Sequence, residues 1–399
     1  ATKDKLQPST IDHQPSTINR MISIGRSTII HKRANYFIPS ISALIRRRQG
    51  HCRRQKNNFS VSSSASSGAG GNILHHEFII DGKVAQSGHH NYNHHDGRQT
   101  VIFLHGLLGS GKNLRSPAKR LTQQYPHLKA LMLDLRGHGQ SPAVDVDQSQ
   151  KHTIQNCVLD IIETTKTLNL TGFDQSPIGV IGHSFGGRCA LQYTHTLQVL
   201  NDTSPCPSPS PSPSPSPSPS LGSTSIIAPP KCTWLLDTVP GKAHESVSNV
   251  IRALTKVDLS SIRSKSDLVK VLTTEQNIDK SIANWMTTNL RKTSSGDGDQ
   301  FEFMFDLDTA IDILDDFPKQ NFMKMVEDCT SFSDTTGTCR MYLVMAGRNN
   351  AWTDDIVSNL QDIDQLGLVS LPKAGHWVHV DDLDGLMDAM DECFMDLHQ

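Results

Sequence analysis

The chain has 399 residues, of which 38 are basic, 40 are acidic and 36% are apolar. This length can bury two or three domains of ordinary size, and the net charge of −2 gives no reason to expect a nucleic acid or an anionic membrane as a partner. No stretch approaches 18 consecutive apolar residues, so no transmembrane segment is expected, and the eight cysteines include no Cys-x-x-Cys pair that would suggest a zinc site.

The first 72 residues differ in composition from the rest and are predicted to be a disordered, transit-like leader. Residues 14–75 contain no acidic residue but ten basic ones, and they are rich in serine, which is typical of an organelle transit peptide. Residues 1–13 have no net charge. Subtracting the charge of +10 on residues 14–75 from the total of −2 therefore leaves a net charge of −12 for residues 77–399. A basic tail that binds an anionic partner is the alternative, and Met21 is a candidate for the true start of the protein.

Apolar runs and turn signals from Thr100 onward predict alternating strands and helices, and therefore an α/β fold with a mostly parallel sheet and helices on both faces. Continuous apolar runs, typical of buried parallel strands, predict strands at 101–104, 130–135, 178–181, 232–236, 341–347 and 366–371. Helical spacing of apolar residues predicts helices at 113–125, at 152–168 and from 383 to 397. A further helix is predicted directly after the strand at 178–181.

A Ser-Pro repeat from Ser204 to Ser220 interrupts this pattern. Proline supplies no backbone donor and the repeat has nothing to bury, so residues 201–229 are interpreted as an extended surface insert rather than as a Pro-rich ligand for a partner domain. Residues 73–399 without this insert are predicted to form one large α/β domain. Helical patterning at 241–320 predicts a cap on that domain.

The segment Gly182-His-Ser184-Phe-Gly186 follows a predicted strand and precedes a helical pattern. A serine at such a sharp strand-to-helix turn needs an unfavourable backbone conformation, and small residues two positions before and after it let the strand and the helix approach closely. The pattern alone is weak, but its position between a strand and a helix indicates a nucleophile elbow with Ser184 as the nucleophile.

Three turns follow successive strands, and their order, His105-Gly106, Asp134 to Ser141 and Gly182 to Gly187, resembles that of the alpha/beta-hydrolase superfamily. The resemblance implies an alpha/beta-hydrolase fold and an oxyanion hole made of two backbone N–H groups, which by match belong to Leu107 and Phe185. It also implies that an acid and a base follow the serine in the order serine, acid, histidine.

The base expected from this resemblance is His376, which follows a glycine after the last predicted strand, and His379 is the alternative. The acid departs from the common pattern, because the strand that usually delivers it is followed by no carboxylate before Asp354. Asp237, at the end of an earlier strand, is the favoured acid, with Asp354 or Asp355 as the alternatives.

The displaced acid narrows the resemblance to an esterase branch of this superfamily, which includes a mitochondrial member and small bacterial esterases. That branch has an Asp-x-x-Pro turn, a turn that lacks the usual acid and an Ala-Gly-His-Trp-x-His segment, which are similar to Asp237–Pro240, Gly347–Asn350 and Ala374–His379. The likeness covers residues 74–397 apart from the insert. Together with the basic leader it implies a mitochondrial location, with the plastid as the alternative.

These residues predict a serine hydrolase that cleaves a small-molecule carboxylic ester or thioester through an acyl-enzyme intermediate. The alternatives are acyl transfer or carbon–carbon bond hydrolysis by the same triad, and a non-catalytic ligand-binding protein with this fold. Neither a metal nor an organic cofactor is implied. A cluster of four histidines, His89, His90, His94 and His95, has no cysteine pattern beside it and lies near a predicted loop, so it is interpreted as an exposed polar loop rather than as a metal site.

Overall fold

The computed structural model describes residues 73–85, 96–143, 151–202, 226–293, 300–334 and 337–397. The predicted leader at 1–72, the Ser-Pro repeat and the histidine-rich loop lie outside the described residues, so the expectations for them stay predictions. The helix before the insert continues to Asp202, two residues into the segment predicted as insert.

An eight-stranded sheet forms the centre of the described chain, in the order β8-β7-β6-β5-β3-β4-β1-β2. Its strands are β1 (His76–Ile80), β2 (Lys83–Val84), β3 (Gln99–Leu104), β4 (Leu128–Leu133), β5 (Gly179–His183), β6 (Cys232–Leu236), β7 (Arg340–Ala346) and β8 (Leu366–Leu371). Strand β1 pairs antiparallel with β2 and β4, and every other neighbouring pair is parallel. The carboxyl ends of β3 and of β5 to β8 therefore lie at one edge of the sheet.

Eleven helices occur in the described part of the chain, and none of them is both long and apolar enough to cross a membrane. They are α1 (Arg115–Gln124), α2 (Ile154–Thr167), α3 (Phe185–Asp202), α4 (Glu245–Leu254), α5 (Lys265–Lys270), α6 (Lys280–Met286), α7 (Leu307–Asp316), α8 (Phe322–Ser331), α9 (Asp354–Gln361), α10 (Val378–Asp381) and α11 (Leu383–Asp396). Short hairpins pair Leu290–Lys292 with Phe301–Phe303, and Ser333–Asp334 with Gly337–Thr338.

The sheet is buried on both faces, which explains its continuous apolar strands. Along β3, Ile102 and Leu104 pack into a core with α2 and α3, whereas Val101 and Phe103 pack into a second core with α1 and α11. Alternate residues of a strand point to opposite faces, so both sets must be apolar when helices cover both faces. The predicted α/β architecture with a mostly parallel sheet is confirmed.

The six predicted strands coincide with β3 to β8 to within two residues at each end. Strands β1 and β2 were not predicted, because neither is a continuous apolar run. The described residues of the predicted cap form α4 to α7, short 3₁₀ and π-helical turns and the Leu290–Phe303 hairpin.

Asp134 follows β4 and binds three segments around the turn in which it lies. Its Oδ1 accepts the Gly111 N–H at 2.7 Å, and its Oδ2 accepts the Gln140 N–H and bonds His75 Nδ1, each at 2.9 Å. Burial by itself raises the pKa of this carboxyl, but the hydrogen bonds from His75, Gln140 and Gly111 and the nearby ring of His105 outweigh it and lower the pKa to about 2.

We expect Asp134→Asn to lower the free energy of unfolding at pH 7 by about 2 kcal/mol, because a depressed carboxyl pKa stabilises the folded state above the unfolded pKa. This contribution is full above a pH of about 4 and is lost as the pH falls towards 2. Urea unfolding at pH 7 and pH 2.5 should therefore show the wild type and the variant converging in acid. Asp388→Asn, at an exposed carboxylate of α11, is the control. A difference that does not depend on pH would contradict the assignment.

Candidate active site

Ser184 lies in a tight turn between β5 and α3, in a strained backbone conformation with φ of 53°. Its N–H donates to the carbonyl oxygen of Leu236 at the end of β6, at 2.9 Å. A Cβ at Gly182 would lie 2.2 Å from the carbonyl oxygen of Gly186, and a Cβ at Gly186 would lie 2.2 Å from that of Leu104. No larger residue fits at either glycine, so the structure has the geometry that the Gly-x-Ser-x-Gly pattern predicts.

Ser184 lines a cavity of about 510 Å³ at the carboxyl edge of the sheet. One side of the cavity is formed by the turns after β3 and after β5 to β8. The other side consists mainly of apolar side chains from the predicted cap and the segment after His376, namely Val247, Val250, Ile282, Trp285, Phe317, Trp377 and Val380. A mostly apolar cavity with a few converging polar groups is typical of a small-molecule site.

Asp237 and His376 are brought together from the ends of β6 and β8. The Nδ1 of His376 lies 2.7 Å from Oδ2 of Asp237, and the Asp237 side chain is fully buried. Asp237 has a φ of 46°, so the chain turns sharply after β6. Both residues line the same cavity as Ser184. The structure thus assembles the three predicted residues around one space, although 192 positions separate Ser184 from His376 in the chain.

The Asp237 carboxylate accepts three further hydrogen bonds, all from the segment at the end of β7 and just after it. Its Oδ1 accepts the indole N–H of Trp352 at 2.6 Å and the backbone N–H of Ala346 at 3.0 Å, and its Oδ2 accepts the side-chain amide of Asn349 at 2.6 Å. The turn that lacks the usual acid therefore supplies donors to an acid on the neighbouring strand. The sequence analysis did not identify Asn349 and Trp352 as partners of the acid. The missing carboxylate in their turn was a signal that this turn has another role.

The alternative acids and the alternative base lie elsewhere. Asp354 and Asp355 are exposed in the first turn of α9, and neither lines the cavity. His379 does line it but is buried on α10, and burial, followed by the nearby His376, lowers its pKa to about 4. The structure therefore pairs Asp237, and not these two aspartates, with His376.

A second histidine contacts the turn that carries His376. The Nε2–H of His183, the residue before the serine, donates to the carbonyl oxygen of His376 at 2.7 Å. On the other side of the turn, the N–H of Gly375 donates to the Asp381 carboxylate at 2.7 Å, which also bonds Arg348. Burial, with the nearby His379 and His376, holds the pKa of His183 well below its usual value, so it stays a neutral donor. These contacts fix the backbone on both sides of His376.

The two predicted oxyanion donors lie at the start of α3 and in the turn after β3. Phe185 begins α3, so its N–H has no acceptor within the helix, and its buried ring stacks with Phe317 at 6.2 Å. Leu107 lines the cavity. The turn that holds it packs on the residue before the serine, since a Cβ at Gly106 would lie 2.9 Å from His183 Nδ1.

Comparisons with known proteins agree with this architecture. The family model described as the alpha/beta hydrolase fold matches residues 99–383. The sn-1-specific diacylglycerol lipase ABHD11 of Mus musculus is 28% identical over 319 residues, which covers 75% of this chain and 83% of that protein. A Haemophilus influenzae protein described as a candidate esterase/lipase is 34% identical over 128 residues, 29% of this chain, and the match spans only 40% of that relative.

A solved structure is also similar to this chain. That of a marine microorganism esterase superposes with a TM-score of 0.54, covers 81% of this chain and 99% of that one, and is 20% identical. At this level of identity the likeness shows a shared fold and nothing about the substrate.

Proposed function

The chain belongs to the alpha/beta hydrolase fold family, which confirms the resemblance seen in its turn motifs, and we propose that it is a serine hydrolase. Its substrate is a carboxylic ester or thioester, cleaved through an acyl-enzyme intermediate. The names of two relatives, a diacylglycerol lipase and a candidate esterase/lipase, support an ester as the substrate. The predicted cap, through the apolar side chains of α4 and α6 that line the cavity, shields the reacting groups from water.

In the proposed reaction the Oγ of Ser184 attacks the substrate carbonyl carbon while its proton passes to Nε2 of His376. Asp237 holds Nδ1–H of the same ring, which leaves Nε2 as the atom with a free lone pair. The N–H groups of Leu107 and Phe185 stabilise the oxyanion. The tetrahedral intermediate expels the alcohol or thiol, which takes the proton from Nε2. Water then attacks the acyl-enzyme in the same way, which releases the acid and restores the serine.

The observation that carries this proposal is the hydrogen bond between His376 and the fully buried Asp237 in the wall of the cavity that Ser184 lines. A buried carboxylate with four donors has one orientation, so it also gives the imidazole one orientation. Such a base–acid pair beside a serine in a strained turn is the arrangement used for nucleophilic catalysis.

A fluorophosphonate probe tests the proposal, because it reacts covalently with activated serines. We expect stoichiometric labelling of the full chain at Ser184, located by peptide mass spectrometry, and no labelling after heat unfolding. Folded protein that stays unlabelled would count against a serine hydrolase and in favour of a ligand-binding protein.

A series of p-nitrophenyl esters of increasing acyl length tests the substrate class. We expect kcat/KM to rise from acetyl towards medium-length chains, because each methylene buried against the apolar wall contributes about 0.8 kcal/mol. Adding an alcohol as a competing acceptor separates hydrolysis from acyl transfer. Free acid as the main product would support hydrolysis. If the main product is instead the ester of the added alcohol, the reaction is acyl transfer.

Trp352 is a positioning residue in this proposal, because it contacts Asp237 and not the substrate. We expect Trp352→Phe to lower kcat about tenfold with little change in KM, since one of four donors to the acid is lost while the cavity keeps its shape. Trp285→Phe, at a tryptophan that lines the cavity, is the matched control and should change KM more than kcat. If both variants change kcat and KM in the same proportion, Trp352 acts only through packing.

A further inference from the structure

Arg188 lies one helical turn after Ser184 on α3 and is buried in the cavity wall, with 2% of its surface exposed. Its backbone N–H donates to the carbonyl oxygen of Ser184 at 3.2 Å, so the two residues share a turn of the helix. A charged side chain in a mostly apolar wall costs free energy unless a countercharge or a full set of hydrogen bonds accompanies it.

The partners of this guanidinium are all neutral. Its Nη2 donates to the carbonyl oxygens of Val239 and Gly241, each at 2.6 Å, and its Nη1 donates to the carbonyl oxygen of Phe317 and the side-chain oxygen of Gln320, each at 3.3 Å. The Phe317 ring lies 4.3 Å from the guanidinium carbon. Within the described ranges no carboxylate lies in an ion pair or a hydrogen bond with Arg188.

The charges around the cavity leave this cation uncompensated. Burial lowers the pKa of Arg188 only to about 10, so it remains charged at pH 7. A second cation, Lys242, lines the cavity from the exposed side. Two carboxylates line it as well. Asp237 is engaged by His376, and Asp279 is exposed at the start of α6, where it accepts the N–H of Ser281.

We propose that the cavity recognises a carboxylate on the substrate, located on the acyl chain or the leaving group, with Arg188 as its countercharge and Lys242 at the entrance. This inference rests on the proposed hydrolase function and narrows its substrate to anionic esters or thioesters. The four hydrogen bonds from its two Nη atoms hold the guanidinium in one orientation in the cavity wall, so its charge can attract a carboxylate without rearrangement. A carboxylate fits better than a phosphate dianion, because one buried guanidinium supplies one charge.

Binding can be measured without turnover in the Ser184→Ala protein. Glutaranilic acid and its methyl ester differ only in the charged end of the chain, and calorimetry gives the Kd of each. We expect the acid to bind at least about tenfold more tightly, with phenyl phosphate weaker than the acid. Equal affinity for the acid and its methyl ester would overturn the proposal, and tighter binding of phenyl phosphate would reassign the site to a phosphoryl group.

Turnover is then compared for mono-4-nitrophenyl glutarate and its methyl-capped counterpart. We expect the ratio of their kcat/KM values to favour the anion about tenfold in the wild type, to approach one in Arg188→Gln and to stay intermediate in Arg188→Lys, which keeps the charge but loses the fork. Lys256→Gln removes an exposed positive charge from the predicted cap, away from the cavity, and should keep the wild-type ratio. An unchanged ratio in folded Arg188→Gln would refute the role of Arg188. Selective binding without turnover would instead refute only the hydrolase function.

Discussion

Replacing Ser184 with alanine is expected to lower kcat by about 10⁶-fold, because the proposed acyl-enzyme forms on its hydroxyl. The residual rate comes from the oxyanion donors and from binding, which the substitution leaves intact. Steady-state hydrolysis of the best p-nitrophenyl ester measures the loss, and loss of fluorophosphonate labelling should accompany it. The variant should fold, since alanine differs from serine only by the hydroxyl and the strained φ of 53° is already accommodated by Gly182 and Gly186.

Ser246 provides the matched control, because it lines the same cavity but lies in the first turn of α4, beside His244. Ser246→Ala should keep kcat within about threefold of wild type, since its hydroxyl bonds the exposed ring of His244 and not the histidine that Asp237 holds. An equal loss in both variants, or residual activity above about 1% in Ser184→Ala, would mean that Ser184 is not the nucleophile.

Changing Asp237 to asparagine is expected to lower kcat by about 10⁴-fold while the fold is kept. An amide has one acceptor oxygen where the carboxylate has two, and here the carboxylate accepts four hydrogen bonds. The Trp352 indole can only donate, whereas the imidazole can change tautomer, so the amide N–H₂ would face the His376 ring. The imidazole is then driven to the other tautomer, in which Nε2 carries the proton and cannot accept one from Ser184.

Asp354→Asn is the control for Asp237→Asn, because Asp354 is the nearest carboxylate to the usual acid position in sequence but is exposed on α9. We expect it to change kcat by less than about twofold. Near-wild-type activity in both variants would refute the assignment of the acid. A large loss only in Asp354→Asn would show that the acid is delivered from β7, as in the common pattern.

Local patterns in the sequence were sufficient to predict six strands of the sheet and the turn that holds Ser184. Strands buried on both faces are continuous apolar runs, so β3 to β8 could be recognised one at a time. The elbow depends on a strained serine with a glycine two residues on either side, and a requirement that is local in space is also local in the chain. Strand β1, which lies between β4 and β2 and begins with two polar residues, lacked such a signal.

The surroundings of the acid could not be predicted in the same way. Asn349 and Trp352 lie 112 and 115 positions from Asp237, and they reach it only because β6 and β7 are neighbours in the sheet. The missing carboxylate in their turn signals an acid from another strand, but it does not show which residues of the turn donate to that acid. The same holds for Arg188, whose lack of a countercharge depends on which side chains converge on the cavity.

The class of fold, the candidate serine and the two possible sources of acid could thus be inferred from residues that lie close together in the chain. Which aspartate contacts His376, which donors orient that aspartate and which cation lies in the cavity wall depend on the tertiary structure. Parallel strands bring their carboxyl ends to one edge regardless of their distance in the chain, so contacts there are set by strand order. Strand order is a property of the whole sheet, and no short segment contains it.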